Sequence, residues 1–179
     1  MITAALLRQI MPNIGDRADV FAPLLSDVAE IYNIDSAKRQ AAFLAHLAHE
    51  SGEFKYMVEL GTGAAYDTGS KAAALGNTPE DDNDGEKYKG RGPMQLTGHD
   101  NYKRCSLGIY GDERLLVTPE LLEKPYDGCM SAGWFWDDKR LNSLADLGDF
   151  ESITRKINGG LNGYAQRLKY YNAALAALS

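Results

Sequence analysis

Three carboxylates stand close together in the chain, Glu50, Glu53 and Glu59, just beyond the apolar run from Phe43 to Ala48. Two carboxyl groups on opposite sides of a sugar are what glycosidic hydrolysis needs: one protonates the leaving oxygen, the other activates water or attacks carbon. Spacing tests the pairs. Glu50 and Glu53 are three apart, so on a continued helix they would share a face and leave no room for a sugar and a water. Glu50 and Glu59 are nine apart. At about 100° and 1.5 Å per residue, a straight helix would set them on opposite faces, roughly 13 Å apart along its axis. Neither pair works on an unbroken helix, but Gly52 is placed to end the helix just after Glu50, so that Phe54 to Leu60 folds back and presents Glu59 across a cleft. A carboxylate at a helix end is ordinarily a solvated surface residue. Glu50 differs because it adjoins an apolar run and borders buried surface, the setting in which acid catalysts are tuned.

The elements that must position these groups are helical. Asp16 or Asp19 starts a segment in which Val20, Phe21, Leu24, Leu25, Val28 and Ile31 keep helix spacing up to Tyr32. Asp35 or Ser36 starts the next, which carries Ala41, Phe43, Leu44, Leu47 and Ala48 and ends in His49-Glu50-Ser51-Gly52. From Gly61 to Gly92 periodicity gives way to Gly, Asn, Asp and Lys around the acidic run Glu80 to Asp84, which reads as one long surface loop. Met94 to Thr97 is extended or turn-like, and Gly98 to Leu107 is helical. Thr118-Pro119 leads into Leu121 and Leu122, and Gly128 to Trp136 packs Met130, Trp134, Phe135 and Trp136 closely. Helices over Asp149 to Ile157 and Gly163 to Leu178 close the chain. A mainly α fold with loops converging on a cleft follows. A length of 179 residues with 44% apolar content fits a single domain over 1–179.

Four stretches in this order carry a resemblance. They are His49-Glu50-Ser51-Gly52; Tyr88-Lys89-Gly90-Arg91-Gly92-Pro93-Met94-Gln95-Leu96-Thr97 with Asn101-Tyr102; Ser131-Ala132-Gly133-Trp134-Phe135-Trp136; and Ile157-Asn158-Gly159-Gly160. Over about residues 36–172 the chain resembles glycoside hydrolase family 19, the chitinase-type family, and within it a phage endolysin-like member. The resemblance implies a lysozyme-like fold, two lobes around a substrate cleft, and an inverting mechanism. That mechanism needs carboxyl groups ~6.5–9.5 Å apart with a water between. It implies Glu50 as general acid and, as in short endolysin members, a second Glu shortly after it as base, which suggests Glu59; in plant-type chitinases the second Glu lies further along. It implies Thr97 as the hydroxyl that helps hold the attacking water. Gln95 and Asn158 would line the cleft, Tyr88 and Asn101 would contact substrate, and Arg167 would organise the acidic site.

Peptidoglycan glycan strands are the expected substrate and chitin the alternative, since both carry β-1,4-linked N-acetylated sugars. A non-catalytic cell-wall-binding protein is the alternative of another class. Net charge −6 and the lack of a basic stripe exclude nucleic acid held by phosphate neutralisation, and leave recognition of an anionic wall to a cleft. The apolar patch Ala4 to Leu7 is too short for a leader or a membrane span. The chain is therefore expected to be made in the cytoplasm and to act on the wall after release, through a holin or its equivalent, as a monomer. Cys105 and Cys129 read as core thiols rather than a bridge. His46 and His49 at i, i+3 lack the His-Glu-x-x-His spacing, so neither a metal nor a cofactor is expected. Trp134, Phe135 and Trp136 face different ways on a helix, so at least one is core. Tyr164, Tyr170 and Tyr171 read as packing residues, and the acidic run as a solvated loop.

Overall fold

The structure, a computed structural model, describes residues 1–179. Its helices are α1 (Ala4–Ile10), α2 (Arg17–Ile31), α3 (Ala37–Glu50), α4 (Gly69–Leu75), α5 (Asp84–Lys87), α6 (His99–Tyr110), α7 (Arg114–Val117), α8 (Pro125–Asp138), α9 (Leu141–Leu147), α10 (Phe150–Asn158) and α11 (Tyr164–Leu178). Two 3-10 turns lie at Ala64–Tyr66 and Pro119–Glu123. Strand-like pairing is limited to the isolated bridges Val58–Arg91 and Arg91–Leu96. The mainly α expectation holds. The chain divides into two compact units, one of Met1–Lys55 with Phe135–Ser179 and one of Tyr56–Trp134.

In the first unit α3 is the central helix, packed against α9, α10 and α11. Every residue from Gln40 to Ala48 is buried, so this helix is covered on all sides. Four of them are alanines, Ala41, Ala42, Ala45 and Ala48, which let neighbouring helices approach closely while Phe43, Leu44 and Leu47 fill the gaps. Ser36 caps α3 by accepting from Arg39 N at 3.2 Å. Of the two residues expected to start α2, Asp16 stands at its N-cap position without a side-chain capping bond and Asp19 lies in its first turn. The apolar stretch Ala4 to Leu7 is part of α1, which buries Leu6, Leu7 and Ile10 beneath an N-cap from Thr3. Trp136 is fully buried with its ring edge-on to Phe43, so the aromatic run does supply core. Tyr171 stacks on Phe150 as a packing residue.

The second unit is built from short helices tied by side chains to loop backbone. Here the expectation of one long loop from Gly61 to Gly92 is corrected, because the segment contains the turn at Ala64–Tyr66, α4 and α5. These pieces are too short to show a helical period. They are held by the buried Asp67 carboxylate, which accepts from Gly85 N at 2.9 Å and Asn83 N at 3.3 Å, and by Asn77, which donates to Tyr66 O at 2.9 Å. Backbone donors hold the Asp67 carboxyl below the usual range. Arg91 is buried and donates to Glu123 at 2.8 Å, to Lys87 O at 2.7 Å and to the Tyr102 hydroxyl at 3.1 Å, which fixes the chain on either side of Gly90.

Candidate active site

In the first unit, Glu50 is the last residue of α3. Beyond it Gly52, Glu53 and Phe54 all have positive φ, at 56°, 60° and 63°. Gly52 thus ends the helix where the sequence places the break. The left-handed region costs roughly 1–2 kcal/mol for each of the two non-glycine residues, and such a turn persists only where contacts over-determine it. Glu53 supplies most of them. It is 3% exposed and accepts from Asn13 N at 2.6 Å, Asn13 Nδ2 at 3.2 Å and the Tyr170 hydroxyl at 2.8 Å. Burial and this bond push the Tyr170 phenol up to about 12. Phe54 donates its N–H to Ser51 Oγ at 2.7 Å and stacks on Phe21. Of the two carboxylates open as partners for Glu50, Glu53 is therefore spent on the turn itself.

Glu50 pairs with Arg167, Nη2 to Oε1 at 2.6 Å, with the arginine side chain 1% exposed and the carboxylate 20%. Arg167 also donates from Nη1 to His46 Nδ1 at 2.9 Å and from Nε to Asn162 O at 3.3 Å. A guanidinium on His46 Nδ1 is incompatible with that atom ligating a cation. His49 lies against Gly163, whose φ is +70° and where any Cβ would run into the imidazole. Burial, then Arg167, hold the His49 imidazole below its ordinary range. Asn158 ends α10 with its Nδ2 buried and without a hydrogen-bond partner.

In the second unit, Glu59 and Gly90 bind reciprocally: Glu59 N donates to Gly90 O at 2.9 Å and Gly90 N to Glu59 Oε2 at 2.8 Å. A Cβ on Gly90 would lie 2.8 Å from Glu59 Oε2, 2.9 Å from Gln95 Oε1 and 3.3 Å from Thr97 Oγ1. Three side-chain oxygens therefore converge on this glycine. The loop that brings them there is closed by Arg91 N to Leu96 O at 3.1 Å and Leu96 N to Arg91 O at 2.9 Å, and Gln95 sits at φ 53°. Thr97 Oγ1 donates to Gln95 O at 2.9 Å, and Asn101 Nδ2 to Thr97 O at 2.8 Å, so Asn101 holds the loop.

The candidates thus fall into two groups, Glu50 with Arg167 in one unit and Glu59, Gln95, Thr97 and Asn101 in the other. Tyr88, expected to contact substrate, belongs to neither group. It is 3% exposed, its hydroxyl donates to Leu116 O at 3.3 Å, and its ring packs on His99 and Tyr102. Its place beside Gly90 in sequence hid the fact that its side chain serves the core. Sequence reasoning missed the work of His46 and Glu53. His46 could have been found from its i, i+4 relation to Glu50, one turn away on the same helix face. Glu53 could not, because its donors, Asn13 and Tyr170, are distant in the chain.

No protein-family profile matches the chain. It is 34% identical over 164 residues to a glycosyl hydrolase family 19 domain-containing protein of Haemophilus influenzae, covering 76% of this chain and 78% of that protein. It is 33% identical over 186 residues to an endochitinase of Arabidopsis thaliana, covering 96% of this chain but 62% of the plant protein. The structure of chitinase C from Streptomyces griseus superposes with a TM-score of 0.77 at 24% identity, over 99% of this chain and 92% of that one. The class IV family 19 chitinase of Zea mays gives 0.65 at 27% identity, over 87% of this chain and 78% of the other. Fold and sequence together define a helical glycoside hydrolase. The chain belongs to glycoside hydrolase family 19.

Proposed function

We propose that the protein cleaves β-1,4 linkages between N-acetylated sugars by a single displacement. Glu50 protonates the glycosidic oxygen, Glu59 takes a proton from water, and Thr97 with Gln95 orients that water. The observation that carries this reading is the convergence of Glu59 Oε2, Gln95 Oε1 and Thr97 Oγ1 on Gly90. A carboxylate, an amide oxygen and a hydroxyl grouped there form an acceptor-rich site suited to binding and deprotonating water. On the acid side, Arg167 commits one oxygen of Glu50, leaving Oε2 to carry the proton delivered to the leaving group. The unpartnered Asn158 Nδ2 is a donor that a sugar oxygen would satisfy.

Peptidoglycan glycan strands are the substrate this reading favours, with the protein acting as an endolysin that is made in the cytoplasm and reaches the wall on release. Cys105 and Cys129 support it: both are buried and neither forms a disulfide, as suits synthesis in a reducing compartment. Chitin is the second reading, favoured by the endochitinase relatives. Mass spectrometry of products from purified murein and from chitin oligomers separates them: murein fragments with new reducing ends support the first, and cleavage of chitin oligomers alone supports the second. Glu50→Gln keeps the shape of the side chain while removing its acid, and is expected to fold normally and lose about 10²–10⁴-fold in kcat. A variant that still clears outer-membrane-permeabilised cells at the parental rate removes Glu50 from the mechanism.

A further inference from the structure

One buried titratable group is unused by the chemistry above. His46 is completely buried in α3, its ring stacked on Phe150 of α10 with centroids 4.9 Å apart. We infer that His46 is a positioning residue for Glu50: as a neutral imidazole protonated on Nε2, it accepts at Nδ1 from Arg167 and fixes the guanidinium edge that meets the carboxylate. The inference rests on reading Glu50 as the general acid.

A guanidinium is a rigid planar fork of donors with no acceptor. That of Arg167 is held at three points, Nε by Asn162 O at 3.3 Å, Nη1 by His46 Nδ1 at 2.9 Å and Nη2 by Glu50 Oε1 at 2.6 Å. Two protein contacts besides Glu50 define the orientation of the plane. With His46 gone, only the longer bond to a backbone carbonyl remains, and the fork can turn about it. The tautomer follows from the same geometry. Arginine cannot accept, so Nδ1 must be the bare nitrogen and the proton must sit on Nε2. Nε2 is buried and has no hydrogen-bond partner, so Arg167 alone selects this form. A second proton would set a cation against Arg167 of α11 and beside His49 on its own helix. Burial, then Arg167, then His49, push the imidazole down to about 3, and it stays an acceptor at any pH suited to assay.

Long-range 15N–1H spectra of the histidine-labelled full chain test the arrangement without any substitution. The Nε2–H tautomer of His46 is expected from about pH 8 down to about pH 5; a proton on Nδ1, or an imidazolium in that range, overturns the inference. Kinetics test the consequence. His46→Asn places an amide oxygen at the position of Nδ1, whereas His46→Leu offers no acceptor. His46→Leu is expected to lower kcat at least about 10-fold with KM changed less than about 2-fold, and His46→Asn to restore most of the loss. Equal losses in both variants, a change confined to KM, or parental kcat in His46→Leu overturn it. Glu50→Gln separates the two failures. If it stays active, the general-acid reading falls while the tautomer stands; if it is inactive and His46→Leu is not, the positioning role falls.

Discussion

Replacing Gly90 with alanine would put a methyl carbon 2.8 Å from Glu59 Oε2, 2.9 Å from Gln95 Oε1 and 3.3 Å from Thr97 Oγ1. Ordinary contact begins at 3.4 Å, so the Glu59 carboxylate must retreat by 3.4 − 2.8, or about 0.6 Å, and the Gln95 amide by 3.4 − 2.9, or about 0.5 Å. The φ of Gly90 lies outside the left-handed range, and every opposing atom is the far end of a side chain. The backbone therefore tolerates alanine while the grouped oxygens do not. The bond from Gly90 N to Glu59 Oε2, now 2.8 Å, lengthens towards about 3.4 Å and weakens. Misplacement by about 1 Å costs on the order of 10²-fold in rate, so kcat on soluble oligosaccharides is expected to fall roughly 10- to 10²-fold. Stability should fall by about 1 kcal/mol, roughly 2–4 °C in Tm for a chain of this size. Initial rates and a thermal melt on one preparation decide the matter. Parental kcat in a folded Gly90→Ala protein refutes the claim that these oxygens perform the base-side chemistry.

Glu53 and His46 give two further expectations. Glu53→Ala leaves the Asn13 N–H and the Tyr170 hydroxyl without their acceptor and the left-handed turn without its clamp; about 2–4 kcal/mol of stability should be lost in denaturant melts. A loss under about 0.5 kcal/mol would remove Glu53 from the turn's support. His46 makes stability pH-dependent. Its folded value is pushed down to about 3 from an ordinary 6.5, so between those limits the unfolded chain binds a proton that the folded one refuses. Its contribution is complete above pH 6.5 and drains as pH falls towards 3, at up to about 1.4 kcal/mol per pH unit. Melts of the parent and His46→Asn over that window should show a slope that the variant lacks; identical slopes would contradict it.

A long helix such as α2 was legible because its buried residues, Ala18, Phe21, Ala22, Leu25, Val28 and Ala29, recur with the helical period. The break at Gly52 was legible because glycine after a final apolar turn is a stop signal, and α3 does end at Glu50. Short helices such as α5, α7 and α9 were not, since four to seven residues hold too few turns for a period, and their stability comes from contacts such as Asp67 to Gly85 N. The nearness of Glu50 and Arg167 was available only as a motif resemblance, because 117 positions separate them in the chain. Tyr88 shows the opposite limit. A motif names a neighbourhood, but which side of the backbone a ring occupies is decided by packing, here against His99 and Tyr102.

The acid and base roles proposed for Glu50 and Glu59 require that water attack the anomeric carbon directly, from the face opposite the leaving group. Proton NMR of a chitin oligomer or soluble glycan-strand fragment, recorded in the first minutes of cleavage and before mutarotation, reads that stereochemistry. A new reducing end that emerges as the α-anomer is the expected result. A β-anomer would mean a retained configuration, and the assignment of Glu59 as a base acting on water would have to be abandoned.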